Sequence, residues 1–162
     1  MIHTRIIVVK NPEEMGVVAA DHFEAEIQRK PACVIRLAPG STPLPLYREL
    51  ARREKEGKID FSRVRSANLD EYKGLAPDHD QSYRKFMQDN LFTHISIKPE
   101  NTIVPDGLAE DVQAMCEAYE AKIEEWGGVD LQLLGIGHDG HIGFNEPCDE
   151  FVNGTNHVKL TD

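Results

Sequence analysis

The chain has 162 residues, 40% of them hydrophobic, which is enough for one domain with a real core and excludes a disordered chain. Its formal net charge of −10 argues against nucleic acid or an anionic membrane as a main partner, although backbone N–H groups can still hold a small anion locally. Three cysteines (Cys33, Cys116 and Cys148) form neither a disulfide framework nor a zinc pattern, no apolar run reaches the length of a membrane span, and the first residues lack the apolar region of a signal peptide, so a reduced cytoplasmic protein is expected.

The β-branched run Arg5–Val9 reads as a strand. Asn11-Pro12-Glu13-Glu14 then opens a helix that should run to about Arg29: a capping side chain, proline at the first helical position and acids in the first turn. Ala32–Leu37 is a second apolar strand, Pro39–Pro43 a turn, and a helix follows through about Lys55. Val64–Leu69 reads as a strand, Gln81–Leu91 as a helix, and Asn101–Val104 as another strand. Leu108–Trp126 is a helix with Val112, Met115, Cys116, Tyr119 and Ile123 on one stripe, closed by Gly127-Gly128. Leu131–Ile136 is a last apolar strand. Alternating strands and helices without repeat or linker predict an α/β fold. The expected sheet is open, mostly parallel and Rossmann-like, with helices on both faces and right-handed crossovers. Ligands in such sheets bind outside the carboxyl ends of the strands, so loops 38–42, 69–73 and 135–146 are expected to converge on one crevice.

Those loops carry the chemistry. Gly137-His138-Asp139-Gly140-His141 and Asn145-Glu146-Pro147 place acids and histidines, the side chains that move protons near neutral pH, among glycines that permit sharp turns. His138 or His141, with Asp139 or Glu146 beside it, reads as a histidine proton carrier oriented by carboxylates. A metal site would need further convergent ligands, and no cysteine or histidine stands at supporting spacing, so none is expected. Gly135-x-Gly137-x-x-Gly140 matches the dinucleotide fingerprint only formally, because no helix follows it. Asp70 and Glu71 are consecutive acids at a strand end, where only one of the two should face the crevice; the pair reads either as carrying a general base or as a solvated turn or cap for the next segment. Gly40-Ser41-Thr42, between a strand and a helix, reads either as a phosphate cradle or as an ordinary capping turn. Cys148 lies between Glu146 and Asp149, acids that would raise its pKa, which argues against a nucleophile.

Gly40–Pro43, Asn68–Tyr72 and Gly137–Pro147 together closely resemble the glucosamine-6-phosphate deaminase family (glucosamine/galactosamine-6-phosphate isomerases), and the likeness runs along essentially the whole chain. The resemblance implies conversion of glucosamine 6-phosphate and water to fructose 6-phosphate and ammonia, in amino-sugar catabolism, with no metal or redox cofactor. Asp70 would move the proton from C2 of the open-chain sugar to C1, and His141 would open the pyranose ring. Asp139 and Glu146 would flank that histidine, while Gly40, Ser41 and Thr42 would hold the phosphate. His138 falls at a variable position of the family, and Pro39 stands where a residue with a free N–H is usual. Residues 1–162 would form a single domain that is the N-terminal portion of the family's full one, without its later strands, helices and phosphate-clamping cations. The expected partner is a small amino-sugar phosphate, with a homo-oligomer among the arrangements open to the family. The competing readings are a 6-phosphogluconolactonase-like hydrolase on the same fold and a non-catalytic sugar-phosphate sensor.

Overall fold

The computed structural model describes residues 4–149 and 152–160. Helix α1 spans Pro12–Arg29. The Asn11 side chain accepts from the Glu14 N–H at 2.8 Å, and Pro12 supplies a preset first turn. Its buried stripe of Gly16, Ala20, Phe23 and Ile27 follows helical spacing. Strand β1 is Val34–Leu37, α2 is Leu44–Lys55, and β2 is Arg65–Asn68. Helix α3, Tyr83–Asn90, is capped by the Ser82 hydroxyl. Strand β3 is Thr102–Ile103, α4 is Val112–Glu125 with Asp111 as its cap, and β4 is Leu131–Gln132.

The four strands form one all-parallel sheet in the order β3-β2-β1-β4. Alternation along the strands sorts the two faces. Ile35 and Leu37 enter the main core with Ala20, Phe23, Leu46, Leu50 and Met87, so α1, α2 and α3 cover that face. Ala67 packs with Tyr119 and Ile123 of α4, which covers the other. Helices therefore lie on both faces, as the alternation of elements predicted.

Two expectations are corrected. Residues 5–9 are not a strand: Ile6 and Val8 are 84% and 89% exposed, and among the described residues no ladder pairs with them. A β-branched run becomes a strand only where a sheet edge meets it, and the ladder here stops at β3 and β4. The last strand is also shorter than its apolar run: it ends at Gln132, with Leu133 adding one backbone bond to Arg36 before the chain turns out. Leu134 and Ile136 are exposed, so that run is apolar without being core.

The order of the strands places the site. The chain steps from β1 through β2 to β3 on one side, then returns across the other face through α4 to lay β4 against the free side of β1. The chain leaves β1 for β2 by way of α2 on one face and reaches β4 by way of α4 on the other, so the strand order reverses at β1 and a crevice opens there at the carboxyl ends.

Candidate active site

That crevice, of about 270 Å³, is lined by Ala38 and Pro39 after β1, Leu69 and Asp70 after β2, and Gly137 and His141 after β4. Asp70 and His141, predicted on separate loops, thus share one cleft. Asp70 also lines a second cavity of about 380 Å³ on the α4 side, so its carboxyl stands in the wall between the two.

The consecutive acids divide as the alternation argument required. Glu71 turns back onto α3: it accepts the Tyr83 and Arg84 N–H groups, each at 3.0 Å, and the Ser82 hydroxyl at 2.8 Å. It is spent on satisfying orphan donors of a helix start. Asp70 makes no such bonds, and its Oδ1 is buried without a hydrogen-bond partner. Burial, reinforced by the neighbouring Glu71 charge and opposed by Arg36, pushes its carboxyl up to about 6. A carboxylate poised there can take and return a proton near neutral pH. The capping alternative for this acid pair thus holds for Glu71, which serves the start of α3, and the crevice-facing reading holds for Asp70.

The loop after β4 is built on close approaches. Gly137 donates to the His141 carbonyl at 2.9 Å, and a Cβ on Gly137 would lie 2.2 Å from the His141 ring. Only glycine lets the imidazole lie against the chain at that point. His141 Nδ1 lies 2.7 Å from Asp139 Oδ1, which also accepts the His141 N–H at 3.2 Å. Hydrogen bonds from His141 and Glu146 hold the Asp139 carboxyl down at about 2. An ionised carboxylate is only an acceptor, so Nδ1 of a neutral His141 carries the proton and Nε2 presents its lone pair. Glu146 is displaced the other way, raised by its hydrogen bond to Asp139 and by that group's charge. The two neighbouring carboxyls are thus driven apart, with Asp139 the fixed anion of the pair. One ligand atom each from Asp139, His141 and Glu146 falls within 4.8 Å of the others, so these are the side chains that could meet a cation. All are solvent-accessible and Nδ1 is already engaged, which is far from a closed four-ligand set.

Tyr72, Tyr83 and Phe144 form an aromatic wall, with ring centroids 4.9 to 5.8 Å apart, and the Tyr83 hydroxyl donates to that of Tyr72 at 3.1 Å. The sequence reading had assigned none of the three a role.

The first loop reaches the crevice through Ala38 and Pro39. Gly40 turns the chain with φ +122°, and Ser41 and Thr42, both exposed, line an adjacent depression with Lys10 and Asn11 at the start of α1. The capping alternative for them fails, because Pro43 is the N-cap of α2 and no side chain caps that helix.

Comparison with known proteins places this geometry. Residues 12–143 match the family described as glucosamine-6-phosphate isomerases/6-phosphogluconolactonase. The chain is 57% identical over 158 residues, 98% of its length, to a glucosamine-6-phosphate deaminase of Clostridium perfringens (strain SM101), and 51% identical over 158 residues to one of Thermoanaerobacter sp. (strain X514). It spans 65% and 62% of those two relatives. Among solved structures, a monomeric glucosamine-6-phosphate deaminase superposes with a TM-score of 0.86 at 41% identity, over 89% of this chain and 60% of that one. A 6-phosphogluconolactonase from Thermotoga maritima gives 0.69 at 28% identity, over 85% and 62%. An α/β sheet whose switch-point crevice gathers Asp70 and His141, matched by this family over most of its length, makes the chain a member of the glucosamine-6-phosphate isomerase/6-phosphogluconolactonase family.

Proposed function

We propose that this chain works in the conversion of glucosamine 6-phosphate and water to fructose 6-phosphate and ammonia, with residues 1–162 acting as one sugar-phosphate-handling unit. The observation that carries this reading is the Asp70 carboxyl: half-buried, with Oδ1 buried and unpartnered, raised to about 6, and in the same crevice as His141. The C2–H of the sugar becomes acidic only when C1 is a free aldehyde, so ring opening comes first. His141, with Nε2 free to accept the O1 proton and then to give one to the departing ring oxygen, suits that step. Asp70 then takes the C2 proton while O1 gains one from water, giving an enolamine, and delivers its proton to C1, which leaves a protonated imine at C2. Water adds there, and ammonia departs as the C2 carbonyl forms. A hexose phosphate is long enough for its phosphate to reach groups beyond the reacting carbons, and Gly40, Ser41 and Thr42 are assigned to that end.

Deamination is favoured over lactone hydrolysis by the 57% identity to a named deaminase against 28% to a named lactonase. Ammonia release from glucosamine 6-phosphate tests it. Asp70→Asn should lose roughly 10²–10⁴-fold in turnover while keeping affinity for the sugar phosphate. The acid limb of the wild-type rate profile should fall through about pH 6, where Asp70 protonates. Undiminished turnover in Asp70→Asn defeats the mechanism. Hydrolysis of 6-phosphogluconolactone in place of ammonia release would hand the site to the hydrolase reading.

A further inference from the structure

One charged side chain in the sheet interior has no place in the steps above. Arg36 lies in β1 between Ile35 and Leu37, whose side chains enter the main core. Alternation turns Arg36 to the opposite face, the one covered by α4. Its register partners are Ala67 on β2 and Gln132 on β4, so it stands on an inner strand with a neighbour on each side. Asp70 comes three residues after Ala67, just past the carboxyl end of β2, the end toward which an arginine side chain lying along the sheet can extend.

Arg36 and Asp70 both line the cavity of about 380 Å³ on the α4 side. Arg36 Nε and Asp70 Oδ1 are both buried without a hydrogen-bond partner. Opposite charges thus share one cavity without a direct bond. We propose that Arg36 is a positioning residue that acts on Asp70 through space, its guanidinium setting the field in which that carboxyl exchanges its proton. The proposal rests on the reading of Asp70 as the base.

The separation suits the task. Burial and the Glu71 charge alone would push the Asp70 carboxyl further up and leave less of it ionised to act as a base at neutral pH. A bidentate ion pair would hold it down in the ordinary carboxylate range and remove its basicity. A half-buried cation at a remove offsets part of the first effect without reaching the second.

The other groups around Asp70 do not supply that charge. Glu71 on its own loop adds a like charge. Tyr83 from α3 and Tyr119 from α4 face it as phenols that burial keeps neutral. The Cys116 thiol of α4 is raised by burial and likewise neutral. Asp106 and Glu120 add negative charge to the cavity, and the Glu120 carboxylate accepts from Thr155. Lys73 and His157 line the same cavity but are exposed to solvent, which screens them. In the crevice His141 is already bonded to ionised Asp139.

The test is a carbon-13 titration of the Asp70 carboxyl in aspartate-labelled protein, assigned by the signal lost in Asp70→Asn. In Arg36→Met the midpoint should rise by roughly one pH unit from the wild-type value, and Arg36→Lys should bring it most of the way back. The acid limb of ammonia release should move with it. Arg36→Gln, which keeps a polar head on a similar stem, carries the same expectation should the methionine variant not fold. An Asp70 midpoint that stays put in a folded, charge-neutral variant overturns the proposal. The titration needs no turnover, so a protein that released no ammonia would refute the reaction without touching this result.

Discussion

Asp70 holds a carboxylate away from solvent with one oxygen unbonded, and the fold bears the cost. Its folded value, about 6, lies above the ordinary 3.8, so folding favours the protonated form. That contribution is fully present below about pH 3.8 and is lost as pH rises through about 6. Asp70→Asn should therefore stabilise the protein by roughly 1–3 kcal/mol at pH 7 and by almost nothing at pH 3.5, measured by urea unfolding at both values. Equal stabilisation at both would mean that packing, not charge, sets the effect. At this scale the sequence was legible for types and spacings and silent on partners. Consecutive acids announced that one would face the crevice, and Glu71 was the one consumed by α3. Nothing in Val-Ile-Arg-Leu marked Arg36 as more than an outward-facing strand residue. Its surroundings are made by α4, far away in the chain.

Between elements, α1 and α2 pack tightly at a glycine. A Cβ on Gly16 would lie 2.6 Å from the Pro45 carbonyl carbon and 2.8 Å from the Leu46 nitrogen, both backbone atoms that cannot swing aside. Helix propensity alone would predict a gain of about 1 kcal/mol for Gly16→Ala. Forcing the helices apart costs about 1–3 kcal/mol and should win, giving a net loss of stability in thermal unfolding. A stabilised variant would show that the two helices can slide. The same pair is tied by Arg53, whose buried guanidinium bonds Glu49 on its own helix and Asp21 and Glu24 on α1. Helices with strong caps were readable to within a few residues, because Asn11, Ser82 and Asp111 act locally. Strands were less so. Residues 5–9 have every local mark of one and no ladder, since a strand is a relation between segments rather than a property of one.

For the molecule as a whole, a net charge of −10 acts on any anionic ligand. A sugar phosphate approaching such a surface meets repulsion that reaches about 30 Å at 0.01 M ionic strength and about 8 Å at 0.15 M. The apparent KM for glucosamine 6-phosphate should therefore fall as salt rises over that range, with kcat little changed. A KM that rises instead would point to a local cation dominating capture. Among the described residues no helix is long and apolar enough to cross a membrane.

The strand order has a further consequence. Asp70 and His141 become neighbours only after β4 has docked on β1, a contact between distant parts of the chain that rests on two register pairs. The Lys30–Asp130 ion pair at 2.8 Å and the Asp130 bond to the Val34 N–H fasten its entrance. The last long-range pairing of the sheet and the completion of the cleft are thus one event. A molecule that fits the cleft binds only chains that have finished that pairing, and so works as a splint for the fold, adding stability in proportion to the logarithm of its concentration.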